Sequence, residues 1–312
     1  MSHSMFALRA LTTAAVLCAA PSAYGQQVAD TLFRPVVAAP SFAPGAGPLV
    51  LLDEAHANYH TVDGRYRVFA GLLRNDGYRV EPNRAPFTRA ALDSARILVI
   101  ANALSEAQRN RWTLPAVPAF TASEVAAVRD WVRSGGSLLL IADHMPFPGA
   151  ARELAMAFGI AFADGFVVDS AQQTGVLRFA LGDGTLSRHP ITDGRNDRER
   201  IDSVWTFTGQ AFRLLDGGDP LLILGPHTTL LLPRQAWVFS DSTPRMAAQG
   251  MLQGAALRVG RGRIAVFGEA AMFSAQVQGA QRVPMGMNVP VAHQNAQFLL
   301  NVVHWLSGML DP

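Results

Sequence analysis

Continuous apolar runs alternate with helical patterns along much of the chain. Each run consists of Leu, Val, Ile, Ala or Phe without a polar interruption, as expected of strands buried on both faces of a parallel sheet. The runs occupy residues 49–52, 97–100, 138–141 and 264–267. The clearest helix precedes the third run, where Thr121 and Glu124 form a capping box and Gly135 ends the apolar stripe. This alternation predicts an α/β fold with a doubly wound, mostly parallel sheet of the flavodoxin-like type.

The stretch from about residue 165 to 260 has a different pattern, with short apolar pieces separated by turn residues. Strands are expected at residues 221–224, 229–232 and 236–239. A hairpin around Gly260 should lead into the fourth apolar run. Further helices are expected before Gly77, at about residues 149–158 and at about residues 294–306. We therefore predict a hairpin-rich region inserted into the α/β domain.

The N-terminus has the pattern of a secretory signal peptide. Arg9 supplies a positive charge, residues 10–20 form a short apolar run, and the small residues Ala23 and Gly25 fit a cleavage site. The run is too short for a membrane anchor, which needs roughly 20 apolar residues. The expected organisation is a signal peptide (1–25), a leader rich in Pro, Ala and Gly (26–47) and one domain (48–312). Such a protein is periplasmic or secreted.

Composition excludes several kinds of chemistry. Cys18, inside the predicted signal peptide, is the only cysteine of the chain, so we expect a mature protein without disulfides, thiolate metal sites or a cysteine nucleophile. All 26 basic residues are arginine, which excludes a Schiff-base lysine and the lysine of a P-loop. The formal net charge of +2 provides no basic surplus, so we expect no nucleic-acid partner.

Polar residues follow each of the four apolar runs. Ligands of open α/β sheets bind beyond the carboxyl ends of the strands, where such residues gather. They are Asp53, Glu54 and His56 after the first run, Asn102 after the second, Asp143 and His144 after the third, and Glu269 after the fourth. We predict one polar site, in which Asp143, His144 and Glu269 are the candidate catalytic residues and the other four bind the ligand.

Two alternative interpretations of these residues stay open. Asp53, Asp143 and Glu269 could instead cap the helices or turns that follow them. His56 and His60, four positions apart, could share a metal ion, but the sequence contains no established third ligand. We therefore assign neither a metal nor a cofactor to the predicted site.

Three segments of the chain resemble one protein family. They are residues 120–144, which contain the capped helix and the third apolar run, residues 188–194, with the sequence Arg-His-Pro-Ile-Thr-Asp-Gly, and residues 262–269 at the fourth run. These segments resemble the core of class I glutamine amidotransferase-like domains and are most similar to the exported and ThuA-like branches. The resemblance covers most of residues 48–308. It implies the fold and says little about activity.

The chain departs from this family at the nucleophile. Amidotransferases carry a catalytic cysteine at the sharp turn after the strand that corresponds to residues 138–141, where this chain has Asp143 and His144. Related modules that lack the nucleophile are thought to bind or scaffold. Our first hypothesis is therefore an exported module that binds a polar small molecule or glycan. The alternative is a periplasmic, cysteine-independent hydrolase that uses Asp, Glu and His, with or without a metal.

Overall fold

The structure, a computed structural model, describes residues 27–310. The predicted signal peptide over residues 1–25 lies outside the described residues. The strands within residues 27–310 are β1 (Val28–Ala29), β2 (Leu49–Asp53), β3 (Arg79–Asn83), β4 (Ile97–Ala101), β5 (Ser137–Ile141), β6 (Ile160–Phe162), β7 (Phe166–Asp169), β8 (Leu177–Ala180), β9 (Ser203–Thr206), β10 (Phe212–Leu214), β11 (Asp219–Ile223), β12 (Thr228–Leu231), β13 (Arg245–Ala247), β14 (Leu252–Val259), β15 (Gly262–Phe267), β16 (Ala275–Gln278) and β17 (Val283–Gly286).

The α-helices of the same residues are α1 (Arg67–Asn75), α2 (Arg89–Leu92), α3 (Ala122–Arg133), α4 (Phe147–Ala150), α5 (Arg152–Met156), α6 (Pro190–Asp193) and α7 (Asn295–Ser307). The single helix expected at about residues 149–158 is thus two short helices, α4 and α5. The helices expected before Gly77 and near the end of the chain are confirmed as α1 and α7. Between residues 27 and 310, no helix has both the length and the apolarity to cross a membrane.

A large mixed sheet forms the centre of the fold, with the strand order β3-β2-β4-β5-β15-β14-β10-β6 and with β11 paired to β14. The first five strands of this order are parallel, with Val50 opposite Ile97 and Leu139 opposite Ala265. The four apolar runs are therefore confirmed as parallel strands of one sheet, and the fold is mixed α/β. Because these strands end at the same edge, the loops that follow them meet there.

Helices cover both faces of the parallel strands. Neighbouring residues of a strand point to opposite faces, so Leu52 packs with α1 and α7, whereas Leu51 packs with α3, α4 and α5. The predicted capping box starts α3: the Thr121 hydroxyl accepts a hydrogen bond from the N–H of Glu124, and Glu124 Oε2 accepts one from the N–H of Thr121. Burial on both faces is the reason why these strands contain no polar alternation.

The hairpin-rich region supplies antiparallel strands. β14 and β15 form the predicted hairpin through Gly260, and β12 pairs with β7 and β13 in a small separate sheet. The prediction of a strand at residues 236–239 is wrong, because this segment contains a turn in which Trp237 has a φ of 66°. The apolar pattern has another cause: the Trp237 ring packs against His144 and Phe166 instead of joining a sheet.

Part of the predicted leader packs onto the domain. β1 pairs antiparallel with β16, and Asp30 Oδ2 accepts a hydrogen bond from the Asn288 side chain. Further along, the Ser41 N–H donates to Asp76, and the Ser41 hydroxyl is hydrogen-bonded to His304 Nε2 at 2.8 Å. The leader therefore contacts the domain at two places, a feature that its Pro, Ala and Gly content does not indicate.

Candidate functional site

A cavity of about 780 Å³, which we call the edge cavity, lies beyond the carboxyl ends of β4, β5 and β15. This volume is within the range of small-molecule sites, roughly 300–1,000 Å³. The lining includes Tyr59, His60, Arg65, Asn102, Trp112, Asp143, His144, Phe147, Thr208, Trp237, Glu269 and Gln276. The structure thus brings together four of the seven predicted site residues: Asn102, Asp143, His144 and Glu269. Their roles in binding or catalysis stay a prediction.

Asn102 connects the loops that surround the edge cavity. Its Oδ1 accepts a hydrogen bond from the N–H of Asp143 at 2.9 Å, and its carbonyl accepts one from the N–H of Tyr59 at 3.0 Å. Asn102 itself has a φ of 50°, in the left-handed region that Asn tolerates better than most residues. The side chain therefore sets the position of the turn that carries Asp143.

Asp143 and His144 occupy the turn directly after β5. Asp143 Oδ1 accepts a hydrogen bond from the N–H of His144 at 2.7 Å, whereas Oδ2 has no hydrogen-bond donor among the described residues. His144 Nδ1 is 2.8 Å from the Met145 carbonyl. Because a carbonyl can only accept, Nδ1 carries the hydrogen, and in the neutral ring Nε2 is the acceptor. The His144 ring stacks on Phe166 with centroids 4.5 Å apart, which fixes its plane.

Glu269 combines a capping role with a place in the cavity lining. Its two carboxylate oxygens accept hydrogen bonds from the N–H groups of Ala271 and Met272, each at 2.7 Å, at the start of a 3₁₀ turn. Burial and the nearby Asp143 carboxylate raise the pKa of Glu269 well above its ordinary value, although these N–H groups act in the opposite direction. The site therefore places the Asp143 carboxylate near a second, fully buried acid, Glu269, that favours its neutral form.

Aromatic rings form a second part of the wall. Trp112 makes edge-to-face contacts with Tyr59 and Phe147, each with centroids 5.1 Å apart. Trp237 makes a similar contact with His144 at 4.7 Å. Apolar ring surface next to a few polar groups is the usual composition of a small-molecule site.

Asp53 and His56 lie outside the cavity lining and form a buried group with Glu124. His56 Nδ1 is 2.9 Å from both oxygens of Asp53, and Nε2 is 2.9 Å from Glu124 Oε1. Burial lowers the pKa of His56, but the hydrogen bonds and charges of the two carboxylates outweigh it and raise the pKa above 6.5. The His56 ring thus connects Asp53 at the end of β2 to Glu124 in the first turn of α3.

Glu54, the third predicted residue outside the lining, anchors a loop. Its Oε1 accepts a hydrogen bond from the N–H of Val62 at 2.9 Å, and Oε2 is 3.0 Å from Arg84. Asn58 supports the same loop by donating from its side chain to Asp53 Oδ2. The loop consequently directs His56 towards α3 and leaves His60 at the edge cavity.

His60 is 3% exposed, and neither of its ring nitrogens has a hydrogen-bond partner among the described residues. Burial, with smaller contributions from Arg65 and His144, lowers the pKa of His60 well below its ordinary value, so the ring is neutral. In the part of the chain that the structure describes, no group of three or more His, Cys, Asp or Glu side chains could hold a metal ion. His56 also has no free nitrogen to share with His60, since both of its nitrogens meet carboxylates.

Sequence reasoning missed several residues of the edge cavity. Trp112 and Trp237 come from loops far from any strand end, and Arg65 and Gln276 lie in a turn and in the short strand β16. No periodicity or motif marks them. The sequence could have indicated His60 as a cavity residue, because it belongs to the polar segment that follows the first apolar run.

Comparisons with known proteins give a likeness of fold only. No protein-family model and no curated protein matches this chain. The mmIFT52 N-terminal domain has a TM-score of 0.58 and 14% identity, and the match covers 83% of this chain and 97% of that domain. The cytoplasmic protein STM1381 from Salmonella typhimurium LT2 has a TM-score of 0.51 and 15% identity, covering 83% and 98%.

Structural neighbours also include ThuA-like proteins. One from Bacteroides uniformis matches 87% of this chain and 93% of its own, with 10% identity and a TM-score of 0.46. Folds of this kind host unrelated functions, so function has to be argued from the site.

Proposed function

We propose that this chain is an exported, amidotransferase-like module without a cysteine nucleophile that binds a polar ligand of the glycan class in the edge cavity. The proposal includes a doubly wound, flavodoxin-like sheet. In its support, α1 and α7 pack on one face of the parallel strands and α3 to α5 pack on the other. The turn after β5, where the family carries its cysteine, has Asp143 and His144.

The observation that carries the proposal is the composition of the cavity wall. Asp143 Oδ2 and the ring nitrogens of His60 have no donor or acceptor among the described residues, and they line a cavity of about 780 Å³. Buried polar groups in native proteins are normally satisfied, so such groups indicate a ligand or bound water. Hydroxyl groups can donate to Asp143 and exchange hydrogen bonds with His60, while the rings of Trp112 and Trp237 provide apolar surface for the C–H groups of a sugar.

The test is calorimetric titration of the purified protein with glucose, galactose and N-acetylglucosamine, with and without divalent metal ions. We expect at least one sugar to bind, and Asp143→Ala to weaken it roughly ten- to hundred-fold, because a hydrogen bond to a charged group contributes about 1.5–3 kcal/mol. His144→Ala should also weaken binding. His293→Ala, at an exposed position outside the cavity lining, is the matched control. Folded Asp143→Ala protein with unchanged affinity would contradict the proposed site.

A second candidate function, a cysteine-independent hydrolase, is favoured by the carboxyl pair. Glu269 has a raised pKa, and the Asp143 carboxylate is one cause of it. Two carboxyl groups whose environments separate their protonation states are the usual arrangement of an acid and a base in glycoside cleavage. His144 Nε2 would then orient or exchange a proton next to Asp143. Nitrophenyl glycosides test this alternative: turnover that disappears in Asp143→Asn while sugar binding persists would favour the hydrolase.

A further inference from the structure

One side of the edge cavity contains four buried polar atoms, from three side chains, that have no hydrogen-bond partner among the described residues. They are both ring nitrogens of His60, Arg65 Nε and Gln276 Oε1. His60 and Gln276 are almost completely buried, at 3% and 1% exposed. Leaving such groups unpaired is unfavourable, so native proteins keep them mainly where a ligand or water completes the bonds.

Arg65 is the only arginine in the cavity lining among the described residues. Its guanidinium lies 3.7 Å from the centre of the Tyr59 ring, and Nη2 donates to the Tyr59 hydroxyl at 2.9 Å. In the described part of the chain, no carboxylate lies within 4 Å of it. The cation is thus held in place by an aromatic ring, half-buried and without a counter-ion, which makes it a site for an anion.

The shape and charge of the surroundings restrict that anion. A planar carboxylate matches the fork formed by Nε and a terminal nitrogen of a guanidinium. A phosphate dianion would bring a second negative charge into a cavity that the Asp143 carboxylate already lines. His60, as a neutral ring, donates one hydrogen bond without adding charge. A monoanionic carboxylate is therefore the better fit.

We propose that the ligand is a sugar acid, a uronate, whose carboxylate is bound by Arg65 and His60 while its hydroxyl groups reach Gln276 Oε1 and Asp143 Oδ2. This inference rests on the proposed function, because it specifies which glycan class occupies the edge cavity. The aromatic rings of Trp112 and Tyr59 border the same space and would contact the apolar faces of the ring.

The experiment compares glucuronate and galacturonate with their neutral parents, glucose and galactose, and with glucose 6-phosphate, by calorimetric titration of the full protein. We expect at least one uronate to bind roughly ten- to hundred-fold more tightly than its parent sugar, as expected of one charge-assisted bidentate pair. Arg65→Met should abolish that advantage, so that the uronate and its parent sugar bind with similar affinity. Arg67→Met, two positions further on, exposed and outside the cavity lining, is the control.

The outcomes distinguish failure of the uronate proposal from failure of the proposed function. If each uronate binds with the same affinity as its parent sugar and Arg65→Met has no effect, the uronate proposal is wrong. The proposed function is not contradicted by that result. Tighter binding of glucose 6-phosphate than of either uronate overturns the proposal that the bound anion is a carboxylate. No binding of any sugar overturns both. If Arg65→Met fails to fold, as judged by circular dichroism, His60→Phe provides the second variant and should likewise reduce the uronate advantage.

Discussion

Replacing Glu124 by Gln removes one of the two carboxylates that hold His56 and keeps a side chain of the same shape. Glu124 Oε1 accepts hydrogen bonds from His56 Nε2 at 2.9 Å and from the N–H of Phe87 at 3.1 Å, and Oε2 accepts from Thr121. Although burial acts to raise the pKa of Glu124, these bonds lower it from 4.5 to about 2. The substitution therefore tests whether the His56 group stabilises the fold.

The expected loss follows from the shifted pKa. A lowering from 4.5 to about 2 corresponds to about 3 kcal/mol at 1.36 kcal/mol for each pH unit. Gln keeps one acceptor oxygen, so it retains the hydrogen bond from only one of the N–H groups of Phe87 and Thr121. We expect Glu124→Gln to reduce the free energy of unfolding by about 2 kcal/mol.

The loss should depend on pH in both directions. The folded pKa of Glu124 is lowered, so its stabilisation is present above 4.5 and disappears as the pH falls towards 2. The folded pKa of His56 is raised, so its stabilisation is present below 6.5 and disappears as the pH rises through the folded value. The difference between wild type and Glu124→Gln should therefore be largest between 4.5 and 6.5 and smaller on both sides.

Urea unfolding, followed by tryptophan fluorescence at several pH values, measures this difference. Glu153→Gln, at an exposed position of α5, is the control and should change the free energy of unfolding by less than about 0.5 kcal/mol. A loss that stays constant from acid to alkaline pH, or no loss at all, would refute the reasoning. Sugar affinity should be unchanged in folded Glu124→Gln, because His56 lies outside the edge cavity.

Two further predictions concern the buried acid Asp164 and export. Burial raises the pKa of Asp164 from 3.8 to about 6, so the fold loses stability as the pH rises from 3.8 to about 6. In urea unfolding, Asp164→Asn should therefore be more stable than wild type by about 3 kcal/mol at pH 7 and equal to it below 3.8. Equal stabilities at both pH values would count against this. N-terminal sequencing of protein recovered from the periplasm or medium should begin near Gln26, and a full-length cytosolic product would contradict export.

Local sequence patterns predicted much of the fold, because buried strands and helix starts are each marked by a few consecutive residues. An apolar run such as residues 138–141 can be satisfied only where both faces are covered, and Thr121 with Glu124 completes a helix start within one turn. Parallel strands then end at one edge whatever their separation in sequence. For that reason Asn102 and Asp143 could be expected near each other without knowledge of the loops.

Tertiary structure alone decided which polar residues face the edge cavity. His56 and His60 occupy the same polar segment, yet His56 is paired with Glu124, a residue whose sequence signal is only that of a helix cap. Arg65 and Gln276 reach the cavity through loop and strand packing that has no period and no motif. A side chain's direction in an irregular segment depends on distant hydrogen bonds, such as the one from Tyr59 N–H to the Asn102 carbonyl, and these form only when the elements pack together.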